Sequence, residues 1–173
     1  SGLPPEILKD GSRRLGWAAL IYAITFFLAY FGSFFFAASH GNIPAEQTLF
    51  GANQIVQTVV ACISVAVGLA VFFLALFTRC KPQLLLDFGL VFEVVGAFGI
   101  SVSTFWAVFT VWPSPALYDF RGIPWECVWI IIFPILAPNT PGKTLIASLC
   151  AASTSLIVIT ISKSYGPTSP EVP

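Results

Sequence analysis

Apolar residues run through this chain in long, nearly unbroken blocks, separated by short breaks rich in proline, glycine and charge. The longest block covers 84–112. As one helix it reaches roughly 44 Å at ~1.5 Å per residue, enough to cross a ~30 Å hydrocarbon core with tilt. Blocks of similar character lie at about 15–38, 52–77 and 145–161, and a shorter one at 125–136 is interrupted by Pro134. The pattern predicts an all-α protein: a polytopic transmembrane helix bundle with four or five membrane segments. It divides the chain into a cytoplasmic leader at 1–14, a transmembrane helical domain at 15–162 and a proline-rich tail or linker at 163–173.

Within 84–112 the polar positions keep a helical rhythm. Gly89, Glu93, Gly96 and Ser103 fall at offsets of four, seven and fourteen residues, so they share one face, with Gly99 close beside them. The opposite side offers Leu86, Leu90, Phe98 and Phe105 to lipid or bulky neighbours, and Trp106 and Trp112 suit the headgroup boundary. Glu93 stands out. An ionised carboxylate at that depth costs a few kcal/mol, roughly +2.5 to +3.5 on insertion scales, so it is expected to be protonated, paired or turned inward. Two readings stand: a neutral acid hydrogen-bonded to a neighbouring helix, or a switch that responds to a proton or ligand. Asp87, near the start of the span, reads as an anchoring charge.

The block at 52–77 carries a matching stripe. Asn53, Gln57, Ala61, Ser64 and Gly68 recur at three- and four-residue steps, the small and polar spacing that lets membrane helices approach closely. The two stripes are expected to meet, with Gln57 or Ser64 as partner for Glu93. Ala147, Ala151 and Ser155 mark a similar close-contact face at 145–161.

Composition sharpens the class. Only 9% of the 173 residues are charged, 57% are hydrophobic, and the formal net charge is zero. A soluble domain of this size would lack the polar surface to stay dispersed. Zero net charge argues against nucleic acid as a target. Lipid and other transmembrane helices are the expected partners, through self-association or a larger membrane complex. Cys62, Cys80, Cys127 and Cys150 are scattered without a C-x-x-C pair and read as buried small hydrophobes. With His40 the lone histidine, neither a metal site nor a cofactor is expected.

Lys9, Arg13 and Arg14 precede the first span, which places the N-terminus on the cytoplasmic side of a multi-pass protein. Arg79 and Lys81 join them in a short turn. If 125–136 crosses the membrane, Lys143 is cytoplasmic as well. If it only dips, Lys163 takes that place. The irregular stretch after the third span holds Tyr118, Asp119, Arg121 and Trp125, a candidate input surface on the outer side.

Two short motifs imitate chemistry. Pro141-Gly142-Lys143-Thr144 matches the end of a phosphate-binding loop, but Ala137 stands where its first glycine belongs. Asp87-Phe88-Gly89 spells a kinase metal-binding triplet, here inside a membrane block and without the companion motifs. Neither carries catalysis, and no Ser/His/Asp or Cys/His set accompanies them. The chain reads as a non-enzyme.

Three segments carry a likeness. Leu3-Pro-Pro-Glu-Ile-Leu with Ser12-Arg-Arg-Leu-Gly-Trp-Ala-Ala-Leu, then Phe92-Glu-Val-Val-Gly-Ala-Phe-Gly-Ile-Ser, then Trp125-Glu-Cys-Val-Trp-Ile with Pro138-Asn-Thr-Pro-Gly-Lys-Thr-Leu, resemble the membrane-embedded N-terminal region of a group of bacterial serine/threonine protein kinases. The resemblance covers nearly the whole chain and is most specific at Arg13-Arg14-Leu15 and at the Pro-Asn-Thr-Pro-Gly-Lys stretch. It implies a non-catalytic anchor or sensor module in the bacterial cytoplasmic membrane, whose kinase domain would follow one further span, and it assigns no ligand site. An accessory subunit of a larger energy-converting or photosynthetic membrane complex is the alternative.

Overall fold

The computed structural model describes residues 5–32, 35, 52–77, 81–106 and 125–165. Within them the chain forms α1 (Pro5–Phe27), a π-helical turn (Leu28–Gly32), α2 (Ala52–Phe77), α3 (Pro82–Phe105), α4 (Trp125–Leu136) and α5 (Pro141–Tyr165). This is an all-α bundle. Four of its helices are long and apolar enough to cross a membrane, all but α4.

Prolines set several of the starts. Pro5, Pro82 and Pro141 each occupy the first helical position, where a missing N–H costs nothing and a fixed φ helps. The leader therefore does not precede the first helix; residues 5–14 are its opening turns. Ser12 in that stretch returns its hydroxyl to the Leu8 carbonyl at 2.8 Å. Likewise α5 begins four residues before the apolar block that announced it and ends four residues after it. Pro134 lies inside α4 without ending it, and the helix stops at the Ala137-Pro138-Asn139 link.

Contacts between side chains fix the direction of every helix. Leu15 lies over Gly89 and Tyr22 over Gly96, so α1 runs parallel to α3. Gly16 meets Ala75 while Gly68 meets Ala19 and Ala23, so α2 runs back along α1. Glu126 bonds to Ser101 and Asn139 to Asp87, which makes α4 antiparallel to α3. Lys143 reaches Asp87, Ser148 reaches Glu93 and Ser162 reaches the carbonyls of Phe105 and Trp106, so α5 returns parallel to α3. The five helices alternate up and down. As a helix of 12 residues, α4 rises only about 18 Å, and the extended link after it supplies the remaining reach to the Lys81 end of the bundle.

The distribution of side-chain size is inverted relative to a water-soluble bundle. Ile21, Phe77, Phe88, Ile131, Leu145 and Leu156 point outward, while alanine, serine and glycine fill many interior positions. Between helices in lipid the hydrophobic effect supplies little, and close packing with interhelical hydrogen bonds takes its place. One large apolar cluster does exist. Tyr22, Phe92, Trp129 and Phe133 stack at centroid separations of 5.0–6.1 Å and join α1, α3 and α4, with Leu15, Leu85 and Leu86 beneath them.

Several expectations are corrected here. Leu86 is buried at 2% exposure, because α1 and the link after α4 cover that side of α3, whereas Phe98 does face outward. Cys62, Cys127 and Cys150 are exposed on the outside of the bundle, where lipid accommodates a small thiol as well as protein does; Cys80 lies outside the described residues. His40 and Trp112 also lie outside them.

Candidate functional site

The polar groups of the interior concentrate between α3, α4 and α5. Glu93 sits midway along the 24 residues of α3 and is completely buried. The Ser148 hydroxyl of α5 donates to its Oε1 at 2.8 Å, while Oε2, equally buried, has no partner among the described residues. Its backbone carbonyl accepts a second bond from the Trp129 indole nitrogen of α4 at 3.0 Å. Gly96 makes room for that indole: a Cβ there would stand 3.0 Å from the ring.

Two turns along α3, a second buried acid occupies the same seam. Glu126, in the first turn of α4, accepts Ser101 of α3 on Oε1 and Ser155 of α5 on Oε2, both in short contacts. Ser101 also lies 3.1 Å from the Thr154 hydroxyl and 2.9 Å from its own helix's Ala97 carbonyl. Three helices are thus tied at one carboxyl.

Ser101 has one hydroxyl proton and three acceptors within reach, the Ala97 carbonyl, the Glu126 carboxyl and the Thr154 hydroxyl oxygen. With Glu126 ionised, Ser101 and Ser155 both donate to it. With Glu126 neutral, it donates to Ser101, which turns its own proton to Ala97 while Ser155 still donates. Either state is satisfied by rotating one hydroxyl. Glu93 has no such reserve, since Ser148 serves one oxygen and no described residue serves the other.

The α2 stripe behaves differently from expectation. Gly68 admits α1, where an added Cβ would stand 2.9 Å from the Ala19 carbonyl oxygen and from Ala23. The stripe approaches α3 at Ser64, which together with the Tyr22 hydroxyl fills the space beside Gly99. Glu93 therefore finds its partner on α5, not in Gln57 or Ser64, because α2 meets α3 at Gly99, six residues on and turned to another side of the helix, while α5 lies along the acid-bearing side. The side chain of Asn53 lies outside the described residues.

Ser103 is also corrected. It is exposed and bonded to the Gly99 carbonyl of its own helix, while Ser101, on a different side of α3, enters the network. Of the candidate input surface, Trp125 is described and is 75% exposed; Tyr118, Asp119 and Arg121 lie outside the described residues.

At the Lys81 end, Asp87 holds Lys143 through both oxygens at 2.7 and 2.9 Å and accepts Asn139 at 3.2 Å. The anchoring charge thus fastens the α4–α5 link. Lys143, in the first turn of α5, is engaged by this acid rather than displayed in a phosphate loop. Among the described residues no three His, Cys, Asp or Glu side chains converge as metal ligands.

Sequence reasoning overlooked Glu126, Ser101 and Thr154, and marked Ser155 only as a close-packing position. The signal available was the rhythm of Ser148 and Ser155 on α5, two turns apart, against Glu93 and Ser101 on α3. Chemically the arrangement can hold helices together and can take up or release protons. No protein-family model matches the chain, and neither does any curated protein or solved structure.

Proposed function

We propose that this chain is a non-catalytic integral membrane module that anchors, and senses for, a bacterial serine/threonine signalling kinase. One observation carries the reading: the two most specific stretches of the resemblance come together in space. A Cβ at Gly11, just before Arg13-Arg14-Leu15, would stand 3.1 Å from the Pro138 ring, and Leu15 packs on Gly89 two residues from Asp87, which holds Asn139 and Lys143. Residues far apart in sequence thus form one end of one bundle, as expected if the motif is a single structural unit. The intramembrane acids support the sensing role, since they bond to helix-tethering hydroxyls of α5, the helix that leads toward the C-terminus.

The same end gathers the cations. Lys9, Arg13, Arg14, Lys81 and Lys143 lie there, and Lys163 lies at the other. By the positive-inside rule this end faces the cytoplasm of a bacterial inner membrane, with the N-terminus inside. A second reading, an accessory subunit of a larger membrane complex, draws on the outward face of α2, where Ile63, Phe73 and Phe77 are more than half exposed and available to neighbouring helices.

Purification of the chain from native membranes in mild detergent separates the two. Serine/threonine kinase activity that travels with it, in the same polypeptide or a bound one, is the expected result. A fixed set of other membrane subunits without kinase activity overturns it in favour of the accessory subunit.

A further inference from the structure

The two buried acids are unequal, and the inequality has a consequence for α5. Glu126 is satisfied whether or not it carries a proton. Glu93 is not: ionised, it leaves one anionic oxygen without a donor among the described residues in the middle of a membrane-spanning helix, where an uncompensated charge is strongly disfavoured. Its single side-chain bond goes to Ser148, so the state of Glu93 bears directly on the seat of α5.

We infer that Glu93 is an intramembrane proton-binding site whose occupancy sets whether α5 stays docked on α3. The inference goes beyond the anchor and sensor reading and holds whatever enzyme the module serves. The buried face of α5 is made of Ala147, Ala151, Thr154, Val158 and Ser162, with no aromatic and no leucine. Helix α5 is therefore held by small-residue packing and by its polar contacts, of which Ser148–Glu93 is the one whose acid has no second donor among the described residues, beside the Ser155–Glu126 and Thr154–Ser101 contacts further along the helix.

Ser148 lies five residues beyond Lys143 on α5, so the Asp87–Lys143 pair at the bundle end and the Ser148–Glu93 bond are successive ties between α3 and α5. Other titratable groups near the acid are few. From α1, Tyr22 gives its hydroxyl to the Gly96 carbonyl; from α4, Glu126 lies two turns away at Ser101, and Cys127 points outward. From α5, Lys143 is paired with Asp87 and Cys150 is exposed, and the α2 group in this region, Cys62, also points outward. Among the described residues nothing charged adjoins Glu93 to hold it ionised.

The test uses the whole chain in lipid nanodiscs. Dicyclohexylcarbodiimide attacks protonated carboxyls in apolar surroundings, and peptide mass spectrometry locates the adduct. The expected result is an adduct at Glu93 that is lost as pH is raised, with loss of α5 amide protection against deuterium exchange over the same pH range. Glu93→Gln should keep α5 protected at every pH; labelling of the unsubstituted chain stands even if that variant fails to fold. An adduct and an α5 protection that ignore pH identify a permanently neutral packing group and overturn the proposal. Absence of the adduct at Glu93 at all pH values, or its appearance at Glu126 alone, overturns it too.

Discussion

The indole nitrogen of Trp129 donates across 3.0 Å to the backbone carbonyl of Glu93, and the ring that carries it rests where a side chain on Gly96 would be. One glycine therefore decides how closely α4 can approach α3. The ring has little room to retreat, because Tyr22, Phe92 and Phe133 stack around it at centroid distances of 5.0–5.5 Å.

Gly96→Ala is accordingly expected to destabilise the bundle. Its Cβ would stand 3.0 Å from two ring atoms, and overpacking of this kind costs about 1–3 kcal/mol, against a gain of roughly 1 kcal/mol in helix propensity. Gly142→Ala is the control, since nothing lies within 4 Å of the added atom. That variant should melt with the parent or slightly above it. Thermal unfolding in nanodiscs compares the two, and equal midpoints for both would contradict the close approach at Gly96.

Ser101→Ala should be the costlier of two neighbouring serine substitutions. It takes a hydroxyl donor from the buried Glu126 carboxyl, and leaving a buried polar group short costs about 1–3 kcal/mol. Ser103→Ala touches an exposed hydroxyl bonded within its own helix and should fall within about 0.5 kcal/mol of the parent. The same melting experiment decides, and a reversed order would place the polar seam on the wrong side of α3.

These two serines also show what the sequence made legible. Spacing from Gly89 grouped Glu93 and Gly96 on one inward side, and all three are buried, but each meets a different helix: Gly89 meets α1, Glu93 meets α5 and Gly96 meets α4. Ser103 obeyed the same rhythm and still faces outward, since periodicity describes one helix and burial depends on where its neighbours lie. Glu126 follows a proline- and glycine-rich stretch at the start of a short helix, a position that ordinarily suggests an interfacial acid; three helices had to be placed before it became a buried one. The stripe on α2 was read correctly as close-packing, but α1, not α3, uses Gly68. Existence and type of all five helices were legible because long apolar blocks leave few alternatives in lipid.

The Asp87–Lys143 pair should matter less than its geometry suggests. Its side chains are 43% and 49% exposed, and ion pairs of that kind contribute about 0–1 kcal/mol, less at high salt. Lys143→Ala is expected to lower the melting midpoint slightly at low ionic strength and not at all in molar salt. A large loss that persists in high salt would mean the link is buried by something more than these helices.

The alternation of helices makes a prediction about sidedness that the charge pattern left open. Lys143 pairs with Asp87 near the Lys81 end, whereas Ser162 bonds to the Phe105 and Trp106 carbonyls at the opposite end, so α5 separates Lys143 from Tyr165 by the depth of the bundle. The opening turns of α1 share the Lys143 end, because Gly11 abuts Pro138. In a background with all four cysteines replaced by alanine, Lys9→Cys and Lys143→Cys should react with a membrane-impermeant maleimide from one side of sealed vesicles, and Tyr165→Cys from the other. Cysteines at 143 and 165 reacting from the same side would show that α5 does not cross, and the parallel arrangement of α3 and α5 would have to be abandoned.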